Sequence, residues 1–342
     1  MNDVPHTAHT APTDRPVPVI DLATLRDADL GVRRRLGKQI AAVCEDVGFF
    51  YIVNHGVSAA RIARMFELGE RFFALPQQDK LALSMANSRD YRGYLPMKMI
   101  GGDRQMTGNL LESFHVWHER APEDADVLAG KPLHEPNVWP SALPALRDEA
   151  IAYAHTATQL ASDMMRVIAL GLDLPEDTFV RYFERPISLL RFIHYPPQPP
   201  VSDVERFGTR PHTDNGVFTL LAQDDTGGLE IMDREGEWVA VPPLAGSFVI
   251  NLGEMMKVWS NGRFLATPHR VINRYGKERY SLPFFLNPGY DTIIAPILEK
   301  RAATAAPVFH TTVDPDANDT CGEILTRLYH RIWPSRDRQQ TV

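Results

Sequence analysis

From Ile187 onward the chain changes texture, and no other feature limits its possible folds so strongly. Short apolar, β-branched and aromatic runs at 189–194, 217–223, 229–232, 238–241, 248–251, 267–273 and 280–285 alternate with turn-forming segments. Asp225-Thr226-Gly227-Gly228, Arg234-Glu235-Gly236 and Asn261-Gly262 are the clearest of these turns. Many short strands at even spacing call for two sheets facing each other, as a β-sandwich or a double-sheet barrel.

The first half reads differently. Residues 34–46 have a helical period and stop at Gly48, as helices do at a C-terminal glycine. A second helix is expected from about 58 to 75, ended by Pro76, and a third from about 144 to 172. Residues 17–22 and Phe49–Val53 read as strands that join the later sheet, whereas 84–110 read as irregular and 120–140 as a Pro-rich connector. Thr320-Cys321-Gly322-Glu323 has the form of a capping box opening a last helix. The expected division is a disordered polar tail over 1–15, with His6 and His9 inert in it; a helical region over 16–186 that contributes strands to the core; the β-rich core over 187–295; and a C-terminal extension and helix over 296–342.

Composition closes several functional classes. Forty-three acidic against 36 basic residues give a net charge of −7, and the longest basic run is Arg33-Arg34-Arg35 on an expected helix, so a nucleic-acid partner is not expected. No run of 18 apolar residues is present, which argues against a membrane partner. Two cysteines far apart, Cys44 and Cys321, form no framework and suit a reducing, cytoplasmic setting.

The chemistry is concentrated in three places. His212-Thr213-Asp214 sits where a turn meets a strand, and residues i and i+2 of an extended segment face the same way, so His212 and Asp214 can share a divalent metal. H-x-D alone carries little information. After 54 intervening residues His269 follows at the head of another strand run, and two histidines with one carboxylate leave positions open on the metal, as non-haem Fe(II) oxygenases require and as catalytic zinc also allows. Ten residues further, Arg279-Tyr280-Ser281 places Arg279 and Ser281 on one face, where a guanidinium fork and a hydroxyl can grip a carboxylate.

In this order, the blocks resemble the isopenicillin N synthase-like branch of Fe(II)/2-oxoglutarate-dependent oxygenases. Val17-Pro18-Val19-Ile20-Asp21, Asn54-His55-Gly56-Val57, Tyr91-Arg92-Gly93-Tyr94 and Pro136-Asn137-Val138-Trp139-Pro140 are similar to the family's earlier landmarks. Pro211-His212-Thr213-Asp214, Gln223-Asp224-Asp225-Thr226-Gly227-Gly228-Leu229 and Pro283-Phe284-Phe285-Leu286-Asn287-Pro288 are similar to its core. The resemblance implies an α+β chain with a mainly β core, a double-stranded β-helix (jelly-roll) flanked by N-terminal and C-terminal helices. It implies Fe(II) as the metal, 2-oxoglutarate and O₂ as co-substrates, His212, Asp214 and His269 as iron ligands, and Arg279 and Ser281 on the distal carboxylate of 2-oxoglutarate. Tyr195 matches a tyrosine that reaches this co-substrate in relatives, although Ile193 stands where plant members often carry Asn. His115 and Phe285 are the candidates for contact with the primary substrate, and His194 should face away from the co-substrate.

The implied reaction is hydroxylation or desaturation of a small molecule, coupled to conversion of 2-oxoglutarate to succinate and CO₂, by a monomer or homodimer. The same Arg-x-Ser pair occurs in 2-oxoglutarate-independent oxidases of the isopenicillin N synthase and aminocyclopropane carboxylate oxidase type, so the clamp alone does not separate these from the first reading. A non-catalytic metal-binding barrel is the alternative from another class.

Overall fold

The computed structural model describes residues 17–97, 109–198, 207–299 and 313–332. The expected tail, with His6 and His9, lies outside the described residues. Twelve strands are found among those described. The first four are β1 (Val19–Asp21), β2 (Phe49–Val53), β3 (Gly93–Leu95) and β4 (Glu112–Trp117). They are followed by β5 (Ile187–Tyr195), β6 (Thr209–His212), β7 (Phe218–Gln223) and β8 (Leu229–Met232). The last four are β9 (Trp238–Ala240), β10 (Phe248–Leu252), β11 (His269–Val271) and β12 (Arg279–Asn287). Helices α1 (Leu30–Asp46), α2 (Ala59–Phe73), α3 (Gln77–Ala82), α4 (Ala125–Leu128) and α5 (Ala145–Gly171) precede the core. α6 (Glu254–Trp259) follows β10, and α7 (Cys321–Ile332) follows the core.

The strands form two sheets. The larger runs β1-β2-β10-β7-β12-β5-β4-β3 and the smaller β6-β11-β8-β9. This is the mainly β, jelly-roll architecture with flanking helices. Side-chain alternation divides the two faces of the larger sheet. Tyr51, Ile193, Tyr195 and Val249 face inward and meet Leu229, Ile231 and Val271 of the smaller sheet in one apolar layer. Ile52, Leu190, Phe192 and Ile250 face outward into a second layer built with α1, α2 and α5.

Local signals explain the helices. Asp29 caps α1 by accepting from the Gly31 amide at 2.6 Å, and Leu36, Ile40, Ala41 and Cys44 then recur on its buried face. The helix stops at Gly48, whose φ of +73° is the left-handed conformation that glycine adopts without strain. Ser58 caps α2 through the Arg61 amide at 3.2 Å. Thr320 and Glu323 form a reciprocal capping box at α7: the Thr320 amide donates to Glu323 Oε2 at 2.8 Å, and the Glu323 amide to Thr320 Oγ1 at 3.3 Å. Among the described residues no helix is long and apolar enough to cross a membrane.

Three expectations need correction. β4, which was not expected, is a fully buried strand next to β5. Its alternation is obscured because Glu112, Ser113 and His115 are polar yet buried, each satisfied by a partner rather than by water. β3 likewise orders part of the stretch read as irregular, by pairing with β4. The run at 267–273 shortens to His269–Val271, where it lies between β6 and β8.

α1 and α5 cross where Gly37 meets Gly171. A Cβ on Gly37 would stand 2.2 Å from the Val167 carbonyl oxygen, and one on Gly171 2.2 Å from the Gly37 carbonyl oxygen. In an exposed helix Gly→Ala gains about 1 kcal/mol. Here the overpacking should reverse the sign, so Gly37→Ala is expected to destabilise by about 1–3 kcal/mol and lower the thermal unfolding midpoint. A raised midpoint would show that the crossing is not close-packed.

Candidate active site

The strand order brings the two histidines together. β6 and β11 are antiparallel neighbours with His212 directly opposite His269, and their ring centroids are 4.2 Å apart. Asp214 arrives by a different route from the one its spacing suggests. β6 ends at His212, so Asp214 stands in the following loop rather than on an extended strand. That loop is tied down by its own backbone: the Asp214 carbonyl accepts from the Glu254 amide at 2.8 Å. His212 Nε2 and His269 Nε2 each lie 3.7 Å from Asp214 Oδ1, and ligand atoms of all three residues fall within 4.8 Å of one another.

Each donor atom is aimed by a second contact. His212 Nδ1 bonds the Arg210 carbonyl at 2.8 Å, and His269 Nδ1 the Thr267 carbonyl at 3.2 Å. A ring nitrogen that faces a carbonyl must carry the proton, which leaves each Nε2 with a lone pair directed at the shared space. Asp214 Oδ2 accepts from Thr219 Oγ1 at 2.6 Å and Asn251 Nδ2 at 2.7 Å, so Oδ1 is the oxygen left over. Burial, reinforced by the neighbouring His269, pushes His212 down to about 4, so it is neutral at physiological pH. Burial raises the Asp214 carboxyl, but His269, His212 and its two hydrogen-bond donors outweigh this and hold it below the usual range. Two imidazoles and one carboxylate suit a divalent first-row metal with further positions open. The support from Thr219 and Asn251 is the outer-shell contact such ligands require.

Arg279 is 1% exposed at the start of β12, opposite Tyr195 of β5. Its Nε donates to the Gly227 carbonyl at 2.6 Å and its Nη2 to Gln223 Oε1 at 3.2 Å, while its guanidinium lies 4.7 Å from the Tyr195 ring centroid. Nη1 is buried and has no hydrogen-bond partner among the described residues. Leaving such a donor unpaired costs about 1–3 kcal/mol, which a ligand carboxylate would relieve. Ser281 shares the face of Arg279 and is also buried. Tyr195 Oη lies 3.3 Å from Thr209 Oγ1. The residues present therefore fit a metal and a dicarboxylate co-substrate.

A cavity of about 480 Å³ opens onto His212 and Asp214. Leu95, Leu111, Leu189 and Phe285 give it apolar walls, and α7 adds Leu325, Leu328 and Tyr329. Phe285 thus lines the space beside His212 and Asp214. His115 does not; it is buried behind Arg191, the residue that does reach the cavity. His194 points to the helix side of the sheet, where it bonds Glu112 at 2.8 Å, contacts Glu278 and stacks on Tyr280.

The sequence reading missed Thr219, Asn251, Gln223 and Arg191. Gln223 opens a block that resembles the family's core, but nothing in that block singles it out as a partner of Arg279. Arg191 had a usable signal: it is the one charged residue in an apolar strand run, four residues before Tyr195 and so on the same face.

Comparison with known proteins agrees with this geometry. Residues 186–288 match the 2OG-Fe(II) oxygenase superfamily, and residues 17–142 match the non-haem dioxygenase in morphine synthesis N-terminal family. The 2-oxoglutarate-Fe(II) type oxidoreductase hxnY of Emericella nidulans is 33% identical over 291 residues, covering 84% of this chain and 82% of that protein. The crystal structure of a putative 2OG-Fe(II) oxygenase family protein from Caulobacter crescentus superposes with a TM-score of 0.75 at 26% identity, covering 93% of this chain and 99% of that one. JOX2, solved in complex with 2OG, Fe and JA, superposes with a TM-score of 0.68 at 30% identity, covering 84% and 80% of the respective chains. The converging histidine and carboxylate atoms, the orphaned guanidinium nitrogen and these likenesses lead to one conclusion: the chain belongs to the Fe(II)/2-oxoglutarate-dependent oxygenases of the isopenicillin N synthase-like type, enzymes with dioxygenase activity that use Fe(II) and 2-oxoglutarate.

Proposed function

We propose that His212, Asp214 and His269 hold Fe(II), that Arg279 with Ser281 and Tyr195 holds 2-oxoglutarate, and that the cavity bounded by Phe285 and α7 receives a small molecule for hydroxylation or desaturation. The observation that carries this reading is the arrangement of donor atoms: both Nε2 lone pairs and Asp214 Oδ1 are left free by contacts that engage every other polar atom of the three side chains. When bound, iron and 2-oxoglutarate supply the oxidising chemistry, in which O₂ and 2-oxoglutarate yield succinate and CO₂ as a substrate C–H bond is oxidised.

The chain's own work is positional. Thr219 and Asn251 fix the rotamer of Asp214, so that one carboxylate oxygen always faces the histidines. Gly227 and Gln223 fix the Arg279 fork beside the Tyr195 ring and leave Nη1 without a hydrogen-bond partner among the described residues. The apolar walls keep water away from the reacting centre, and the cavity surface orients one C–H bond.

The division into a helical region over 16–186, a catalytic core over 187–295 and a C-terminal extension that closes the cavity follows from the same reading. A cytoplasmic setting and a monomeric or homodimeric state are part of the proposal. The setting is supported by Cys44 and Cys321, both buried and unpaired. The net charge of −7 argues against a nucleic-acid partner.

Asp214→Ala should abolish both iron retention and turnover, read by metal content after anaerobic loading and by succinate release; retained activity would reject this carboxylate as a ligand. Asn251→Ala should leave the three ligands in place yet weaken Fe(II) binding by about 10–100-fold in an anaerobic titration. Unchanged affinity would remove Asn251 from the support of Asp214. Arg279→Ala should raise the half-saturating 2-oxoglutarate concentration by about tenfold or more while iron stays bound. An unchanged requirement would place the clamp elsewhere.

A further inference from the structure

Arg191 sits at the middle of β5 and lines the cavity that opens onto His212 and Asp214. Its Nε donates to His115 Nε2 at 3.1 Å, and its two terminal amines make no hydrogen bond or ion pair among the described residues. The one partner it has does not neutralise it. His115 is buried, its Nε2 also lies 2.9 Å from Ser113 Oγ, and burial with the charge of Arg191 holds it well below the usual histidine range. A neutral imidazole therefore locks the guanidinium in place without cancelling its charge.

A guanidinium cannot shed its proton to escape this position. A half-buried cation without a counter-ion is costly, and chains keep such groups where a ligand completes them. The one carboxylate among the described residues whose field reaches it is Asp214, whose Oδ2 is taken by Thr219 and Asn251 and whose Oδ1 faces the two histidines. Arg279 is committed to a separate place, beside Tyr195 at the far end of the same two strands. On β5 the inward row runs Leu189, Arg191, Ile193, Tyr195, so Arg191 stands on the cavity side and Tyr195 on the clamp side. The cavity has apolar walls at Leu95, Leu111, Leu189, Phe285, Leu325 and Leu328, beside polar lining residues that include Arg210, Asn215 and Asn287.

Resting on the reading of the metal and 2-oxoglutarate sites given above, we propose that Arg191 determines substrate specificity and that the primary substrate is a small organic acid. Its carboxylate pairs with the two terminal amines of Arg191, a match of planar fork to planar anion, and its apolar body lies on the leucine and phenylalanine walls. Ser113 and His115 are positioning residues: they hold the Arg191 fork and do not touch the substrate. The anion fixes one end of the molecule, which directs a chosen C–H bond of the body toward the metal side of the cavity.

The test uses the anaerobic holoenzyme loaded with Fe(II) and 2-oxoglutarate. Phenylacetate, hydrocinnamate, cinnamate and octanoate are each titrated by calorimetry beside their primary amides, which keep shape and lose charge. At least one acid should bind, and bind about tenfold or more tightly than its amide. That preference should vanish in Arg191→Met and be partly restored in Arg191→Lys, while both variants bind 2-oxoglutarate as the wild type does. Amides that bind as well as their acids, the absence of binding by any acid, or a preference that survives Arg191→Met would overturn the proposal. The acid–amide comparison needs only the wild-type protein, so a variant that fails to fold leaves it intact. Failure of the underlying reading gives a different signature: iron-loaded wild type that does not bind 2-oxoglutarate, or loss of 2-oxoglutarate in Arg191→Met but not in Arg279→Ala, which would make Arg191 the co-substrate clamp.

Discussion

The site depends on how one carboxylate is held. Asp214 belongs to no strand, yet its position decides whether two histidines from paired strands become a metal site or remain two facing imidazoles. Thr219 on β7 and Asn251 on β10 both donate to Oδ2, and the Asp214 carbonyl accepts from the amide at the start of α6. The carboxylate is thereby bound to the larger sheet, and the histidines belong to the smaller one. Bringing the two sheets face to face and assembling the metal site are one event. The apolar layer between them, with Ile193, Tyr195, Leu229 and Ile231, supplies the driving force for both.

β5 and β12 then set the order of functions along the barrel. They pair in antiparallel register from Arg279 opposite Tyr195 to Asn287 opposite Ile187. Because side chains alternate, the inward row begins at Arg279, Ser281 and Tyr195, the proposed clamp, and ends at Phe285, Leu189 and Arg191 on the cavity. The proposed co-substrate and substrate spaces are therefore neighbours on one rigid surface, and a slip of one residue would turn both faces outward at once. The outward row of the same strands is used as tightly. His194 bridges Glu112 and Glu278 there, and Lys80 lies 2.9 Å from Glu112.

Much of this was legible in the sequence. The strand and turn rhythm after Ile187 gave two facing sheets, and the His212, Asp214, His269, Arg279 and Ser281 set could be chosen because metal and carboxylate chemistry demands those residue types. The residues that escaped notice are second partners. Thr219 and Asn251 look like ordinary strand residues, and only the three-dimensional pairing of β7 with β10 sets both beside Asp214. β4 escaped because alternation is read from hydrophobicity, and its inward Ser113 and His115 are polar for a reason that lies on the next strand, at Arg191. Extended geometry at His212-Thr213-Asp214 was the wrong reason for a proximity that a loop provides. In each case local pattern failed where a buried polar group is satisfied by a distant partner.

The central claim is that iron and 2-oxoglutarate meet at this one place, with Arg279 holding the far end of the co-substrate. The most direct measurement is the visible absorption of the protein loaded with Fe(II) in the absence of oxygen, before and after 2-oxoglutarate is added. The account predicts a metal-to-ligand charge-transfer band that appears only with both components and weakens in Arg279→Ala at the same 2-oxoglutarate concentration. Bound iron with no band, or a band indifferent to Arg279, would contradict it.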